Sequence, residues 1–107
     1  SQIKAIEEIK PGMTTKEADA LSRDYIKAHG YGNEFGHSLG HGIGLDIHEG
    51  PVLSKNTNDT VQVNNCVTIE PGIYVDGLGG VRIEDDILIT ENGCEVFTKC
   101  TKDLIIL

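Results

Sequence analysis

No tryptophan occurs among the 107 residues, and there are only two phenylalanines. A core with so few large aromatic side chains is aliphatic and thin. The chain is therefore one small domain, burying on the order of 65% of the surface its unfolded form exposes. Cysteine is scarce too, and Cys66, Cys94 and Cys100 are an odd set without CxxC spacing. That excludes a zinc ribbon or a thioredoxin-type pair and predicts reduced thiols in a cytoplasmic protein. Basic charge is the third shortage: nine lysines and arginines against seventeen acidic residues leave a formal charge of −8. Neutralising phosphates needs clustered cations, so nucleic acid is excluded as a partner. No apolar run approaches the ~18 residues of a membrane span. Charges interrupt the opening SQIKAIEEIK, which is not itself a signal peptide. The acidic surplus fits a carboxylate-lined site that holds divalent cations.

Glycine, by contrast, is abundant. Five of the thirteen lie between Gly36 and Pro51, in GHSLGHGIGLDIHEGP, together with His37, His41 and His48 and the carboxylate of Glu49. Imidazole is the commonest metal ligand and a frequent proton carrier, so this trio points to a metal or catalytic site. Read singly, each histidine is a surface residue of a glycine-rich turn. Each glycine costs a helix about 1 kcal/mol relative to alanine, so His37 and His41, four apart, are not a helical zinc pair. An extended or looped backbone fits better. On a strand His37 and His41 share a face, and His48, an odd number further on, needs a bend to join them.

The remaining elements follow from periodicity. Ile3, Ile6 and Ile9, with Ala5, predict a helix over residues 2–10 that Pro11-Gly12 stops. The pattern starts at the first residues with no cap before them, which predicts a chain cut from something longer. Thr14-Thr15-Lys16-Glu17 has the form of a capping box, and Ala18, Leu21, Tyr25 and Ala28 continue a second helix to His29 and Gly30. His29 is read as a capping or surface residue. Strands are expected at 61–63, 66–69, 73–75 and 94–98. The clearest is Val81–Thr90, with Val81, Ile83, Ile87 and Ile89 on one face and Arg82, Glu84, Asp86 and Leu88 on the other. Asp85 intrudes among the isoleucines. Asn92-Gly93 predicts a hairpin.

Alone, Arg82 and Glu84 are a surface ion pair on a solvated strand, and Glu70 is a strand-end residue held extended by Pro71. Together, His41, Glu70 and Glu84 make a set of one imidazole and two carboxylates, which suits manganese, iron, cobalt or zinc.

HSLGHGIGLDIHEGP, TIEPGIY and GGVRIEDDILIT, in that order, resemble the motifs of the pita-bread metallopeptidases. That family includes Xaa-Pro dipeptidases (prolidases), aminopeptidase P and methionine aminopeptidases. GHGIGLDIHE and VRIEDD look more like the Xaa-Pro enzymes, because methionine aminopeptidases lack the arginine two before the last glutamate. The resemblance implies an α+β fold, part of a pita-bread (creatinase/aminopeptidase-like) arrangement with two N-terminal helices backing a curved, mainly antiparallel sheet. It also implies hydrolysis of short peptides with proline at the second position, using two divalent ions (manganese, cobalt or zinc). His41, Glu70 and Glu84 would be ligands, with Glu84 bridging the ions and Glu70 also moving a proton. His37 and His48 would orient the peptide and stabilise the tetrahedral intermediate, and Arg82 would support the site.

One departure stands out. In the family two aspartate ligands precede the histidine, whereas Asp19 and Asp24 lie on the second predicted helix and do not match that pattern. Residues 1–107 are accordingly expected to be the carboxy-terminal portion of a catalytic domain, lacking the upstream aspartates. Alone, this portion is expected to be inactive, metal-free or weakly holding a single ion. Uncovered apolar surface would favour self-association or a homodimer. The alternatives are a methionine aminopeptidase-like or creatinase-like hydrolase, or a non-catalytic peptide-binding module of the same fold. Retention of His41, Glu70 and Glu84 weighs against the last.

Overall fold

The computed structural model describes residues 1–107 throughout, as two helices followed by seven strands. Helix α1 (Gln2–Glu8) turns Ala5 inward and leaves Ile3 exposed, and Ser1 stands at its cap position without a side-chain capping bond. It stops before Pro11-Gly12, where Gly12 has φ +92°, a conformation that costs L side chains. Helix α2 (Thr15–Ala28) opens on the expected capping box. The Glu17 amide donates to the Thr14 hydroxyl at 3.1 Å, and the Thr14 amide donates to the Glu17 carboxylate at 2.8 Å. It ends at His29, whose ring stacks on Tyr25, followed by Gly30 with φ +88°.

The buried stripe of α2 shares Ala18 with the expected one, and Leu21 packs partly buried against the core, but the rest of the stripe differs. Thr15, Ala18, Asp19, Ser22 and Ile26 face inward, while Tyr25 and Ala28 are exposed. The physical reason is what the helix covers: a stretch of irregular chain whose backbone groups need partners, so hydrogen-bonding side chains displace part of the apolar stripe.

Strands β1 (Gly40–Gly42), β2 (Glu49–Leu53), β3 (Cys66–Ile69), β4 (Gly72–Val75), β5 (Gly79–Arg82), β6 (Asp85–Ile89) and β7 (Cys94–Val96) follow in order. Five form one antiparallel sheet in the order β2-β1-β3-β6-β7, and β4 and β5 form a separate hairpin. Val67 and Ile69 of β3 with Ile87 and Ile89 of β6 build the core, together with Leu39, Leu53 and Val61 and with Ala5, Ile9, Ala18 and Ile26 from the helical side. Asp85 is buried among these isoleucines. Its carboxylate meets the Gln2 side-chain amide and the Lys102 ammonium, the latter at 2.7 Å, so the buried charge is compensated.

Two strand expectations need correction. Val81–Thr90 is not one strand: β5 pairs with β4 in the small sheet and β6 pairs with β3 in the large one, with Ile83 and Glu84 as the crossover. Val81 and Ile83 are therefore 61% and 38% exposed rather than core residues. Val61–Val63 is no strand either. Val61 is buried because its amide and carbonyl bond to the Met13 carbonyl and Gly12 amide, while the adjacent Thr60 makes an isolated bridge to Thr14. The Asn92-Gly93 turn joins β6 to β7 as expected, with the Thr90 amide donating to the Gly93 carbonyl at 2.9 Å. No helix is long and apolar enough to cross a membrane.

Candidate metal and peptide site

β1 is a three-residue strand in the middle of the sheet, and two of its residues are glycine for a steric reason. A Cβ on Gly40 would run into the Thr68 carbonyl of β3, and one on Gly42 into the Gly50 carbonyl of β2. Close approach, not turn geometry, fixes these glycines, and it seats His41 directly beside β3. The His41 amide donates to the Thr68 hydroxyl at 3.1 Å, and that hydroxyl donates to Glu70 Oε1 at 2.9 Å. Glu70 follows the end of β3, where the Leu39 carbonyl accepts its amide at 2.8 Å. Backbone and side chain are thus fixed together.

The outcome is a close pair. His41 Nε2 stands 3.0 Å from Glu70 Oε1, and His41 Nδ1 stands 2.9 Å from the Gly42 carbonyl. A neutral imidazole has a single N–H, and here both ring nitrogens face acceptors. With Nδ1–H given to Gly42, a proton or a cation has to stand between Nε2 and the carboxylate. That donor chemistry fits a divalent metal, with the backbone carbonyl fixing the ring's orientation.

His48, at the end of the bend after β1, brings its ring to 4.2 Å from that of His41. The bend that the spacing requires is present. His37 lies before β1, not on it, yet faces the same cleft. Its Nδ1 donates to the Ser38 carbonyl at 2.8 Å, while Nε2 is buried with no partner. Its ring packs edge-on against Phe35 at 5.1 Å and Tyr74 at 5.6 Å. His37, His41, His48, Glu70 and Arg82 line one open cleft of about 670 Å³. Glu84 lines an adjoining depression that shares His41, His48, Glu70 and Arg82 with it.

Arg82 joins the two carboxylates. Its Nε is 3.6 Å from Glu70 Oε2 and its Nη2 3.6 Å from Glu84 Oε2. The neighbouring Tyr74 first, then the negative charges of Glu70 and Glu84, hold the guanidinium above its ordinary range. As they stand, no three histidine, cysteine, aspartate or glutamate side chains enclose a common point for a metal ion. His41 and Glu70 meet, and Glu84 is one guanidinium away from them.

Residues 1–91 match the profile of metallopeptidase family M24. The chain belongs to that family. This M24 chain is 56% identical over 107 residues to an uncharacterised peptidase of Bacillus subtilis (strain 168), covering 100% of the chain and 30% of the relative. It is 52% identical over 105 residues to an Xaa-Pro dipeptidase of Pyrococcus furiosus, covering 98% of the chain and 30% of that protein. Among solved structures it is similar to an Xaa-Pro dipeptidase from Bacillus anthracis, with a TM-score of 0.98, 57% identity and coverage of 99% of the chain and 30% of that structure. The M24 chain thus spans about a third of the length of the relatives it matches. The expected fold class holds: an α+β part of a pita-bread fold, shared with prolidase structures.

Four positions that shape the site carry no sequence signal of their own. Thr68 and Tyr74 read as ordinary strand residues. Asp19 and Arg23 are four apart on α2, a spacing that marks a helical ion pair but not what the pair holds.

Proposed function

We propose that this M24 chain is the carboxy-terminal portion of the catalytic domain of a cytoplasmic, metal-dependent exopeptidase that hydrolyses Xaa-Pro peptide bonds. The observation that carries the proposal is the 3.0 Å approach of His41 Nε2 to Glu70 Oε1 in a cleft also lined by His37, His48 and Arg82. His41, Glu70 and Glu84 would hold divalent ions, manganese, cobalt or zinc, which when bound lower the pKa of a bound water towards about 7.

The chain's own side chains divide the remaining work. Glu70, held by Thr68 and Leu39, takes a proton at its carboxylate and passes it to the leaving amine. His48 donates to the developing oxyanion. His37 lines the cleft and orients the peptide. Arg82 keeps the Glu70 and Glu84 carboxylates at a fixed separation. The acidic cleft favours the free amino group of short peptides with proline second.

The length of the relatives and the absence of the family's two upstream aspartates support a further reading. The 107-residue chain alone is inactive and holds at most one ion weakly, and its exposed Leu45, Ile47, Leu78 and Leu104 favour self-association. The test is metal content and turnover, measured on the chain and on a protein of the relatives' full length that contains it. The longer protein should hydrolyse Xaa-Pro and not Met-Xaa dipeptides, and lose both metal and activity with Glu84→Ala. Preference for Met-Xaa, or activity retained after Glu84→Ala, overturns the assignment. Two ions per 107-residue chain overturn the reading of the fragment.

A further inference from the structure

We propose that Arg23 and Asp19, on the inner face of α2, are positioning residues that hold the segment from Phe35 to Leu39, and through it His37 and Glu70, in the cleft. The inference rests on the reading of that cleft as a peptidase site, and it assigns a role to a helix that contributes no side chain to the cleft itself.

Residues 35–39 belong to no helix or strand. Irregular chain that carries a functional side chain needs an external hold, and α2 supplies one. Arg23 Nε and Nη2 form a two-pronged pair with the Asp19 carboxylate, while Nη1 donates to the Phe35 carbonyl at 2.9 Å and Nη2 to the His37 carbonyl at 2.7 Å. The guanidinium carbon also lies 4.2 Å from the centre of the Phe35 ring, which in turn packs against His37. The carbonyls on either side of residue 36 are therefore fixed to one rigid fork, and His37 is fixed with them.

Asp19 completes the hold. Its side chain is 1% exposed, and Oδ1 accepts the Leu39 amide at 3.0 Å, a donor shared with the Leu53 carbonyl of β2 at 2.9 Å. The Leu39 carbonyl then accepts the Glu70 amide at 2.8 Å, so the same short segment connects α2 to both the His37 and the Glu70 side of the cleft. A helical ion pair serving stability alone has no need of two bonds to carbonyls outside its own helix. Lysine at position 23 would keep a charge pair with Asp19, but its single ammonium cannot reproduce the planar fork.

That difference provides the test, made on the full chain by NMR with thermal unfolding alongside. In the wild type the His37 ring resonances should be single and displaced by the Phe35 and Tyr74 rings. Arg23→Lys should move them toward the positions of an unconstrained histidine, while core signals such as Ile87 and Ile89 stay in place. In a form that turns over Xaa-Pro peptides, the same variant should lower kcat by roughly tenfold or more with KM little changed, as expected for a misplaced group.

Wild-type His37 resonances already at unconstrained positions overturn the clamp without any variant, which also covers the case in which Arg23→Lys does not fold. So do His37 signals unchanged in Arg23→Lys, or shifted only alongside every core signal as stability falls. If no form hydrolyses any peptide, the peptidase reading fails while the NMR result still decides the clamp.

Discussion

His41 and Glu70 face each other with two acceptor atoms 3.0 Å apart, and the other nitrogen of His41 is already directed at the Gly42 carbonyl. A divalent ion satisfies both lone pairs at once. Titrating manganese or zinc into the chain should therefore show an affinity that falls at least tenfold in His41→Ala and in Glu70→Gln. His29→Ala, on the far end of α2, should leave it unchanged. Equal affinity in all four proteins, measured by calorimetry, would place ion binding elsewhere.

The glycines of β1 yield a prediction about packing. At Gly40 a methyl group meets the β3 backbone, which cannot swing aside as a flexible side chain can, whereas at Gly36 it meets nothing within 4 Å. Gly40→Ala should destabilise the chain by about 1–3 kcal/mol, in line with overpacked cores. Gly36→Ala should be close to neutral. Urea denaturation of the two variants decides the matter: equal midpoints would mean that β1 and β3 are not so close.

These two cases mark how far the sequence could be read. His41, Glu70 and Glu84 announce themselves by residue type, and the expected approach of Arg82 to Glu84 is present although Glu84 lies in the crossover after β5. The capping box at Thr14 is legible because it is local, satisfied within four residues. What is not legible depends on distant partners. Alternation alone cannot reveal that the run from Val81 to Thr90 changes sheets at Glu84, because both halves remain extended. Nor can it show that α2 buries Asp19 and Ser22 while Tyr25 stays exposed, since that follows from the distant groups they bond, the Leu39 amide and the Ser1 carbonyl. Gly40 and Gly42 read from sequence as helix breakers, and their close contacts with β3 and β2 make them spacers between strands.

Helix α2 provides a pH prediction. Hydrogen bonds from the Thr14 backbone amide first, then from its hydroxyl, hold the Glu17 carboxyl below its ordinary value of 4.5. A depressed carboxyl adds stability above the unfolded-state value, and that contribution is lost as pH falls through the folded-state value. Thr14→Ala should cost about 1 kcal/mol at pH 7, and the gap to wild type should narrow below pH 4.5. Glu17→Gln keeps a side-chain acceptor for the Thr14 amide and should remove that part of the pH dependence. Thermal scans from pH 7 to pH 3 test this, and a gap that stays constant over the range argues against the capping carboxylate.

The cysteines report on how α1 is docked. Cys94, on β7, is half-buried, its thiol donates to the Ile6 carbonyl of α1 at 3.4 Å, and burial pushes its pKa above the ordinary value. The reactive species is the thiolate, so a thiol with a raised pKa behind a helix reacts slowly. Cys100 is exposed beyond the last strand. At pH 8, alkylation followed by mass spectrometry should modify Cys100 well before Cys94, and modest urea should close the gap as α1 detaches. Equal rates in the absence of urea would mean that α1 does not rest on β7, and the connection from Gln2 to the buried Asp85 on the neighbouring strand would fall with it.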